Sequence, residues 1–240
     1  MKSPEGVKQE GVVSIPVVVA LDDMREVEAV STARHLAGMV WGFKVNDLLL
    51  RAGGEVVNRL SAYGKVFCDA KLHDIPNTVA NQVRVLEEAG ADLITVHGSG
   101  GEAMLRAAAG AVRGKARILA VTVLTSLEEE ECKRLYGRGV SDQVRQLAGM
   151  ALSAGLGGVV SSAAELPLLA GVDPERKLYR VTPGIRPEWH AAGDDQRRVM
   201  TPGEALAAGA DLLVIGRPIT AASNPIQACR RLAADIRNSR

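Results

Sequence analysis

The stretch EEAGADLITV, residues 87–96, runs from a helix-like segment through a glycine into an apolar run. LSAGLGGVVS (152–161) and LAAGADLLVI (206–215) repeat the same order. Glycine suits the left-handed position that follows the last turn of many α-helices, so each copy is predicted to join a helix to a strand. The apolar runs are short, rich in β-branched residues and nearly continuous, which is typical of parallel strands buried on both faces. The repeat therefore predicts an α/β protein.

Further runs of this kind bring the number of predicted strands to eight along the 240-residue chain. The predicted strands are Ile15–Leu21, Val40–Val45, Lys65–Lys71, Leu93–His97, Arg117–Leu124, Gly158–Ser161, Leu178–Thr182 and Leu212–Ile215. Segments with apolar residues three and four apart predict helices at Met24–Leu36, Thr78–Ala89, Ala103–Val112, Gln143–Ala154 and Gly203–Ala208.

Eight βα units in a chain of this length predict a single (β/α)8 TIM barrel. We place this barrel at residues 14–240, behind a loosely held arm at residues 1–13. An open, doubly wound sheet is the alternative. The turn LDDMRE (21–26) after the first strand lacks the glycine-rich pattern of dinucleotide-binding sheets, which disfavours that alternative.

Two helix starts can be placed from capping residues. Asp142 is predicted to cap the helix that begins at Gln143, and Thr201 followed by Pro202 fits the start of another helix. The acidic run at residues 128–131 predicts the solvated start of a further helix.

Composition and charge exclude several classes of protein. Apolar residues make up 47% of the chain, enough for a large core, and the net charge is +1. A nearly neutral chain with 3% aromatic residues lacks the basic surface and the stacking platforms of nucleic-acid binders. No apolar run reaches the ~18 residues of a membrane span, no signal peptide is visible, and the cysteines form no CxxC pair. We therefore expect a soluble cytoplasmic protein with neither nucleic acid nor membrane as a partner.

Polar side chains collect where the predicted strands end. The carboxyl ends of barrel strands carry the chemistry, whereas the strand bodies are apolar. The polar residues at or just after strand ends are Asp22, Lys44, Asp69, Lys71, His97, Thr125, Ser126, Arg186 and Arg217. Few polar residues lie in strand bodies, apart from Thr95, Thr122 and Arg180. The pattern predicts an enzyme whose active site lies at this end of the barrel.

The third predicted strand, KVFCDAK (65–71), carries an aspartate and a lysine two residues apart. Alternation places Asp69 and Lys71 on the same face, pointing into the barrel mouth. Asp74 follows three residues later, at the turn into a helix that begins near Pro76. A lysine among carboxylates is expected to stay protonated and to act as a cation and proton donor. An ion pair that merely ties down a loop is the alternative explanation.

The last two predicted strands run into VTPGIRP (181–187) and VIGRPIT (214–220). Phosphate sites in barrels often follow the seventh and eighth strands, where glycine N–H groups and arginine side chains contact phosphate oxygens. We therefore predict a phosphate site at Gly216 and Arg217. A helix cap with a surface arginine is the alternative.

The loop PEWHAAGDDQRRVM (187–200) is long for a connection between a strand and a helix. Such loops often close over active sites, and Gln196, Arg197 or Arg198 would then contact a phosphate; a plain surface loop is the alternative. No cluster of His, Asp and Glu predicts a metal site, and Ser126 lacks the GxSxG pattern of a hydrolase nucleophile. An isolated histidine such as His97 is more often structural than catalytic.

The segment FCDAKLHDIPNTV (67–79) resembles the most specific motif of the orotidine 5′-phosphate decarboxylase family. Seven further segments are similar to the family in order and spacing: ALD (20–22), FKV (43–45), VHGSGG (96–101), VTVLTS (121–126), VTPGIRP (181–187), DDQRRVMTP (194–202) and GADLLVIGRPIT (209–220). Together these segments cover almost the whole chain. The form is similar to the short, single-function bacterial type.

The resemblance implies decarboxylation of orotidine 5′-phosphate (OMP) to UMP and CO₂ in pyrimidine biosynthesis, without a cofactor or a metal. It implies a catalytic charge network of Lys44, Asp69, Lys71 and Asp74, with Lys71 as the proton donor. It also implies substrate contacts from Asp22, Lys44, Asp69, Ile75, Thr78, Thr125, Ser126, Arg186, Gln196, Gly216 and Arg217. In the family, the second aspartate of the motif and the following threonine come from the partner subunit. Asp74 and Thr78 are therefore expected to cross a homodimer interface.

Two other functions remain open at this point. Sugar-phosphate lyases of the same superfamily resemble the D-x-K-x-x-D arrangement but depend on Mg²⁺, and DIPNT (74–78) together with the two glycine–arginine segments favours the OMP enzyme over them. A catalytically inactive barrel that only binds a nucleotide is the second alternative. The complete set of Asp69, Lys71 and Asp74 argues against it.

Overall fold

The eight predicted strands form a closed barrel. A computed structural model describes residues 14–190 and 200–239, and its strands are all parallel and paired in sequence order, with the first strand also paired to the last. The strands are β1 Ile15–Ala20, β2 Val40–Val45, β3 Lys65–Leu72, β4 Leu93–His97, β5 Arg117–Val121, β6 Gly158–Val160, β7 Tyr179–Thr182 and β8 Leu212–Ile215. The predicted (β/α)8 barrel is confirmed, and the open sheet is excluded. The arm at residues 1–13 lies outside the described residues, so its boundary stays a prediction.

Helices follow the strands around the outside of the barrel. They are α1 Glu26–Leu36, α2 Asp47–Ala52, α3 Gly54–Ser61, α4 Pro76–Glu88, α5 Glu102–Ala111, α6 Glu129–Tyr136, α7 Val140–Ser153, α8 Leu166–Val172, α9 Pro202–Ala207, α10 Arg217–Thr220 and α11 Pro225–Asn238. The five helices predicted from apolar spacing are all present, with ends that differ by up to three residues. The helix predicted from the acidic run is α6.

The predicted cap at Asp142 is wrong. Helix α7 begins at Val140, so Asp142 lies in the first helical turn and pairs with Arg145 at 2.9 Å. The carboxylate of Glu129 on α6 accepts a hydrogen bond from the Val140 N–H at 3.0 Å. Helix α7 can therefore begin earlier than its own sequence indicates, because Glu129 of α6 accepts the hydrogen bond of a first-turn N–H group that has no partner within the helix.

The local signals at the other helix ends behave as predicted. Gly90, Gly155 and Gly209 have φ angles of 105°, 78° and 104°, in the left-handed region that glycine adopts without strain. The Thr201 hydroxyl accepts a hydrogen bond from the Glu204 N–H at 3.3 Å at the start of α9.

The core has two layers built almost entirely from aliphatic side chains. The interior of the barrel is filled by Val18, Ala20, Phe67, Leu93, Leu119, Val181, Leu212 and Val214. A larger apolar layer between the strands and the helices encloses the barrel. Side chains alternate between these layers along each strand, which places β-branched residues on both faces.

Strands β3 and β4 lose their regular pairing at the mouth of the barrel. Cys68 pairs with Ile94, but the next pair joins Leu72 to Val96. Between these two pairs β3 therefore contains two more residues than β4. Lys71 lies inside this bulge with a φ of 47°, which is uncommon for a residue other than glycine. The strand is therefore distorted where its predicted functional residues lie.

No helix in the described residues has the length and apolar content needed to cross a bilayer. Cys68, Cys132 and Cys229 are all buried and unpaired.

Gly42 on β2 provides a test of the close strand packing. A Cβ atom at this position would lie 2.0 Å from the Lys65 carbonyl oxygen on β3, and backbone cannot move aside without disturbing the pairing. We expect Gly42→Ala to lower the free energy of unfolding by about 2 kcal/mol or more in urea denaturation.

Gly110→Ala is the matched control for this substitution. Gly110 is exposed in α5, and a Cβ atom there meets no neighbouring atom within 4 Å. The control should gain about 0.5–1 kcal/mol from helix propensity. Equal stability of the two variants would contradict the proposed packing.

Candidate active site

A cavity of about 680 Å³ opens at the carboxyl ends of the strands, a size that suits a small-molecule ligand. Its charged lining residues are Asp22, Asp23, Lys44, Asp69, Lys71, Arg186 and Arg217. Val121, Val123, Val160 and Val214 form much of its apolar wall. The cavity therefore combines an apolar surface with opposite charges held close together.

The lysines and aspartates form a continuous chain of ion pairs across β1, β2 and β3. Lys71 Nζ lies 2.6 Å from Asp69 Oδ2, and Lys44 Nζ lies 3.6 Å from the same oxygen. Lys44 Nζ also contacts both oxygens of Asp22 at 2.8 Å. Lys44 is 5% exposed, whereas one third of the Lys71 side chain faces the open cavity. Lys71 is thus the lysine positioned to meet a bound molecule.

The Asp69 carboxyl is held in its ionised form. Burial by itself raises the pKa of this group, but the charges of Lys44 and Lys71 and the hydrogen bonds from Lys71 and Thr95 act in the opposite direction. The net effect lowers the pKa of Asp69 below its ordinary value. At neutral pH the cavity therefore contains a buried carboxylate beside two ammonium groups.

Two residues that sequence reasoning did not assign to the site hold Asp69 in place. Asn46 Nδ2 donates to the Asp69 carbonyl oxygen at 2.6 Å. The Thr95 hydroxyl donates to Asp69 Oδ1 at 2.9 Å and accepts from the Lys71 N–H at 2.9 Å. A polar side chain in the otherwise apolar body of β4 was the available signal for Thr95.

The arginines follow β7 and β8, and β8 is paired with β1. Gly184 adopts a φ of 78° and turns the chain after β7, so that Ile185 is buried and Arg186 reaches the cavity lining. The Arg186 N–H donates to the Met200 carbonyl at 3.0 Å, which joins the two ends of the loop. Gly216 and Arg217 lie at the start of α10 and line the same cavity. The structure therefore brings the predicted phosphate residues together.

The other predicted site residues are distributed differently. Thr125 lines the cavity, whereas Ser126 is exposed and lies outside the lining. Asp74 and Ile75 are exposed, and Thr78 lies in the first turn of α4, all outside this cavity. Gln196 lies outside the described residues.

Asp74 does not join the ion-pair chain of its own subunit. Its carboxylate accepts from the adjacent Ile75 N–H at 2.6 Å, and no ion pair between Asp74 and Lys71 occurs in the part of the chain described. Lys71 was expected to lie between the carboxylates of Asp69 and Asp74. Among the described residues of one subunit, it pairs with Asp69 and not with Asp74.

His97 lies at the edge of this site and not in the cavity lining. Its ring packs against that of His73 with centroids 5.4 Å apart. Burial, followed by the charges of His73 and Lys71, lowers the pKa of His97 below its ordinary value. These contacts fit the structural role favoured from the sequence.

Comparison with known proteins identifies the family. The orotidine 5′-phosphate decarboxylase / HUMPS family matches residues 16–232 of the chain. The chain belongs to this family. The resemblance of its motifs to the family is thereby confirmed.

Individual members of the family match over nearly their whole lengths. An orotidine 5′-phosphate decarboxylase from Paramagnetospirillum magneticum is 43% identical over 233 residues, covering 92% of this chain and 98% of the relative. The enzyme of the same name from Moorella thermoacetica is 47% identical over 236 residues, covering 92% of this chain and 91% of the relative. The crystal structure of orotidine 5′-phosphate decarboxylase from Lactobacillus acidophilus has a TM-score of 0.75 at 31% identity, covering 92% of this chain and 98% of that chain.

The lowered pKa of His97 predicts a pH-dependent loss of stability. As the pH falls through about 6.5, the unfolded chain binds a proton at His97, whereas the folded protein keeps the imidazole neutral to a lower pH. The unfolded state then binds more protons and is favoured. We expect the free energy of unfolding to fall between pH 7.5 and pH 5.5, and to fall less in His97→Gln.

Urea denaturation of both proteins at the two pH values measures this difference. Both proteins should first show a single cooperative transition at pH 7.5, so that only the change with pH is compared. The same decrease in the two proteins would show that His97 does not contribute.

Proposed function

We propose that the protein is an orotidine 5′-phosphate decarboxylase, a carboxy-lyase that converts OMP to UMP and CO₂ in pyrimidine biosynthesis. The proposal is carried by one arrangement. A Lys71–Asp69–Lys44–Asp22 ion-pair chain, in which Lys44 is buried, lines the same 680 Å³ cavity as Arg186 and Arg217. The names of the relatives support the same reaction.

Lys71 is the proposed catalytic residue. When the bond between C6 and the carboxylate breaks, CO₂ leaves and the electron pair remains on C6. An ammonium group fixed beside C6 stabilises this developing negative charge and then transfers a proton from Nζ to C6. The ion pair with Asp69 at 2.6 Å holds the ammonium in position before substrate binds.

Asp69 has a second proposed role in the ground state. In the proposed complex the substrate carboxylate lies near Asp69, whose lowered pKa keeps it negatively charged. The two like charges repel each other until one leaves as CO₂, so the repulsion is relieved along the reaction. Lys44 balances the charge of Asp69 throughout.

The rest of the nucleotide is proposed to extend across the cavity toward β7 and β8. Asp22 and Lys44 would contact the ribose, and Thr125 would contact the pyrimidine together with its neighbour Ser126, which lies outside the cavity lining. Arg186, Gly216 and Arg217, with Gln196 outside the described residues, would hold the phosphate. Phosphate binding then supplies the interaction energy that orders the reacting groups.

We also propose a homodimer in which Asp74, Ile75 and Thr78 contribute to the partner's site. Ile75 is 67% exposed at the start of α4, and Val85 on the same helix is 60% exposed. These apolar side chains provide a surface that a second copy would cover. Asp74 is exposed and makes no ion pair with Lys71 within the described residues, as expected if it completes the charge network of the partner.

The proposal includes a reaction without a cofactor or a metal, in the cytoplasm. The three buried, unpaired cysteines fit a reducing compartment. The rival function, a Mg²⁺-dependent sugar-phosphate lyase, would need carboxylates available to the metal. Asp22 and Asp69 are instead both paired with lysines.

Replacing Lys71 tests the reaction directly. Lys71→Ala removes both the charge that stabilises C6 and the proton donor, so kcat for UMP formation from OMP should fall by at least about 1000-fold. Lys115→Ala is the control, because Lys115 is a surface lysine whose side chain is 88% exposed. Its kcat should match that of the wild type within about twofold. Near-normal turnover of Lys71→Ala would refute the assignment, and complete loss of wild-type activity in EDTA would favour the Mg²⁺-dependent alternative.

The shared site can be tested by mixing two inactive variants. Lys71→Ala and Asp74→Ala homodimers should each be inactive, but a mixed dimer contains one site with neither substitution. After subunit exchange at equal concentrations, about a quarter of wild-type activity should return, since half of the dimers are mixed and half of their sites are intact. Exchange is verified by native mass spectrometry. No recovery in verified mixed dimers would mean that Asp74 acts within its own subunit.

A further inference from the structure

We propose that Thr95 is a positioning residue that sets the orientation of both Asp69 and Lys71. This inference rests on the proposed decarboxylase function and extends it to a residue outside the predicted catalytic set. Thr95 is fully buried in β4 and does not line the cavity, so it acts through the two charged residues and not on the substrate.

The hydroxyl of Thr95 closes a ring of hydrogen bonds. It accepts from the Lys71 N–H at 2.9 Å and donates to Asp69 Oδ1 at 2.9 Å. The other carboxylate oxygen, Asp69 Oδ2, accepts from Lys71 Nζ at 2.6 Å. Lys71 is therefore held at both its backbone and its ammonium group, and Thr95 is the link between the two ends of the ring.

The bulge in β3 explains why a side chain is needed here. Regular pairing stops at Cys68 and resumes at Leu72, so the Lys71 N–H bonds to a side-chain oxygen in place of a carbonyl of β4. The positive φ of Lys71, at 47°, is a conformation that a residue with a side chain adopts at a cost. The hydrogen bond from the Lys71 N–H to the Thr95 hydroxyl stabilises this conformation and satisfies a donor that has no carbonyl partner in the β3–β4 pairing.

The same hydroxyl fixes which way the carboxylate faces. The Thr95 hydroxyl donates to Asp69 Oδ1, and the other oxygen, Oδ2, faces both lysines. Oδ2 lies 2.6 Å from Lys71 Nζ and 3.6 Å from Lys44 Nζ. A carboxylate free to rotate would place its charge at variable distances from the ammonium groups. The Thr95 hydroxyl therefore sets the position of the Lys71 ammonium in the cavity.

Two substitutions separate the hydroxyl from the shape of the side chain. Thr95→Val keeps the branched shape and loses the hydroxyl, whereas Thr95→Ser keeps the hydroxyl and loses the methyl group. Losing a hydrogen bond to a charged group should lower kcat for OMP about 10- to 100-fold in the valine variant. The affinity for UMP should change less than about threefold, because the arginine end of the cavity is untouched. The serine variant should retain kcat within about threefold.

Thr122→Val is the matched control. Thr122 is also a buried threonine, and it directly follows β5. Its hydroxyl donates to the Val160 carbonyl of β6 at 3.0 Å. This substitution removes a buried hydroxyl of the same kind without touching the ion pairs. Its stability in urea should fall about as much as that of Thr95→Val, while its kcat should stay near the wild-type value.

The outcomes distinguish this inference from the function on which it rests. If the wild-type protein does not convert OMP, the proposed function itself is wrong. An active wild type with a Thr95→Val variant of equal kcat overturns only the role of Thr95. If the valine variant does not fold, Thr95→Ala replaces it, and equal loss of kcat in the alanine and serine variants overturns the role. Failure of both hydroxyl-free variants to fold would assign Thr95 to the core and would also overturn it.

Discussion

The attraction between the Asp69 carboxylate and two ammonium groups, largely out of water, holds the centre of the site together. Burial opposes the charge of Asp69, and the pKa is nevertheless lowered because Lys44 and Lys71 lie within 3.6 Å. Removing either lysine would leave a buried charge poorly balanced. The surrounding strands must therefore hold three charged side chains in fixed positions, and the distortion of β3 and the contacts from Asn46 follow from this requirement.

Most of the architecture could be predicted because it depends on local patterns. Apolar runs located the eight strands, and the glycines after three helices marked where β4, β6 and β8 would start. Alternation along β3 correctly placed Asp69 and Lys71 on one face, although the structure achieves this through a bulge at Lys71 and not through regular pairing. The start of α7 was missed because its cap comes from Glu129, a residue of another helix.

The parts of the site that escaped prediction depend on contacts between distant segments. The Lys71 N–H meets the Thr95 hydroxyl because the pairing of β3 and β4 shifts between Cys68 and Leu72, and no local pattern encodes such a shift. Asp74 lies three residues from Lys71 in sequence, yet its side chain lies outside the ion-pair chain of the same subunit. Spacing along a strand therefore predicts which residues share a face, but not which of them touch.

The closure of the barrel between β1 and β8 joins the two ends of the site. The ion-pair chain comes from β1 to β3, near the beginning of the chain, whereas Arg186 and Arg217 come from its last third. The first part contributes two aspartates and two lysines and the second part contributes the arginines, and the cavity between them exists only once the final strand pairs with the first. During synthesis the protein therefore cannot acquire a complete binding site until nearly its whole sequence has emerged, so ligand binding reports on completed folding.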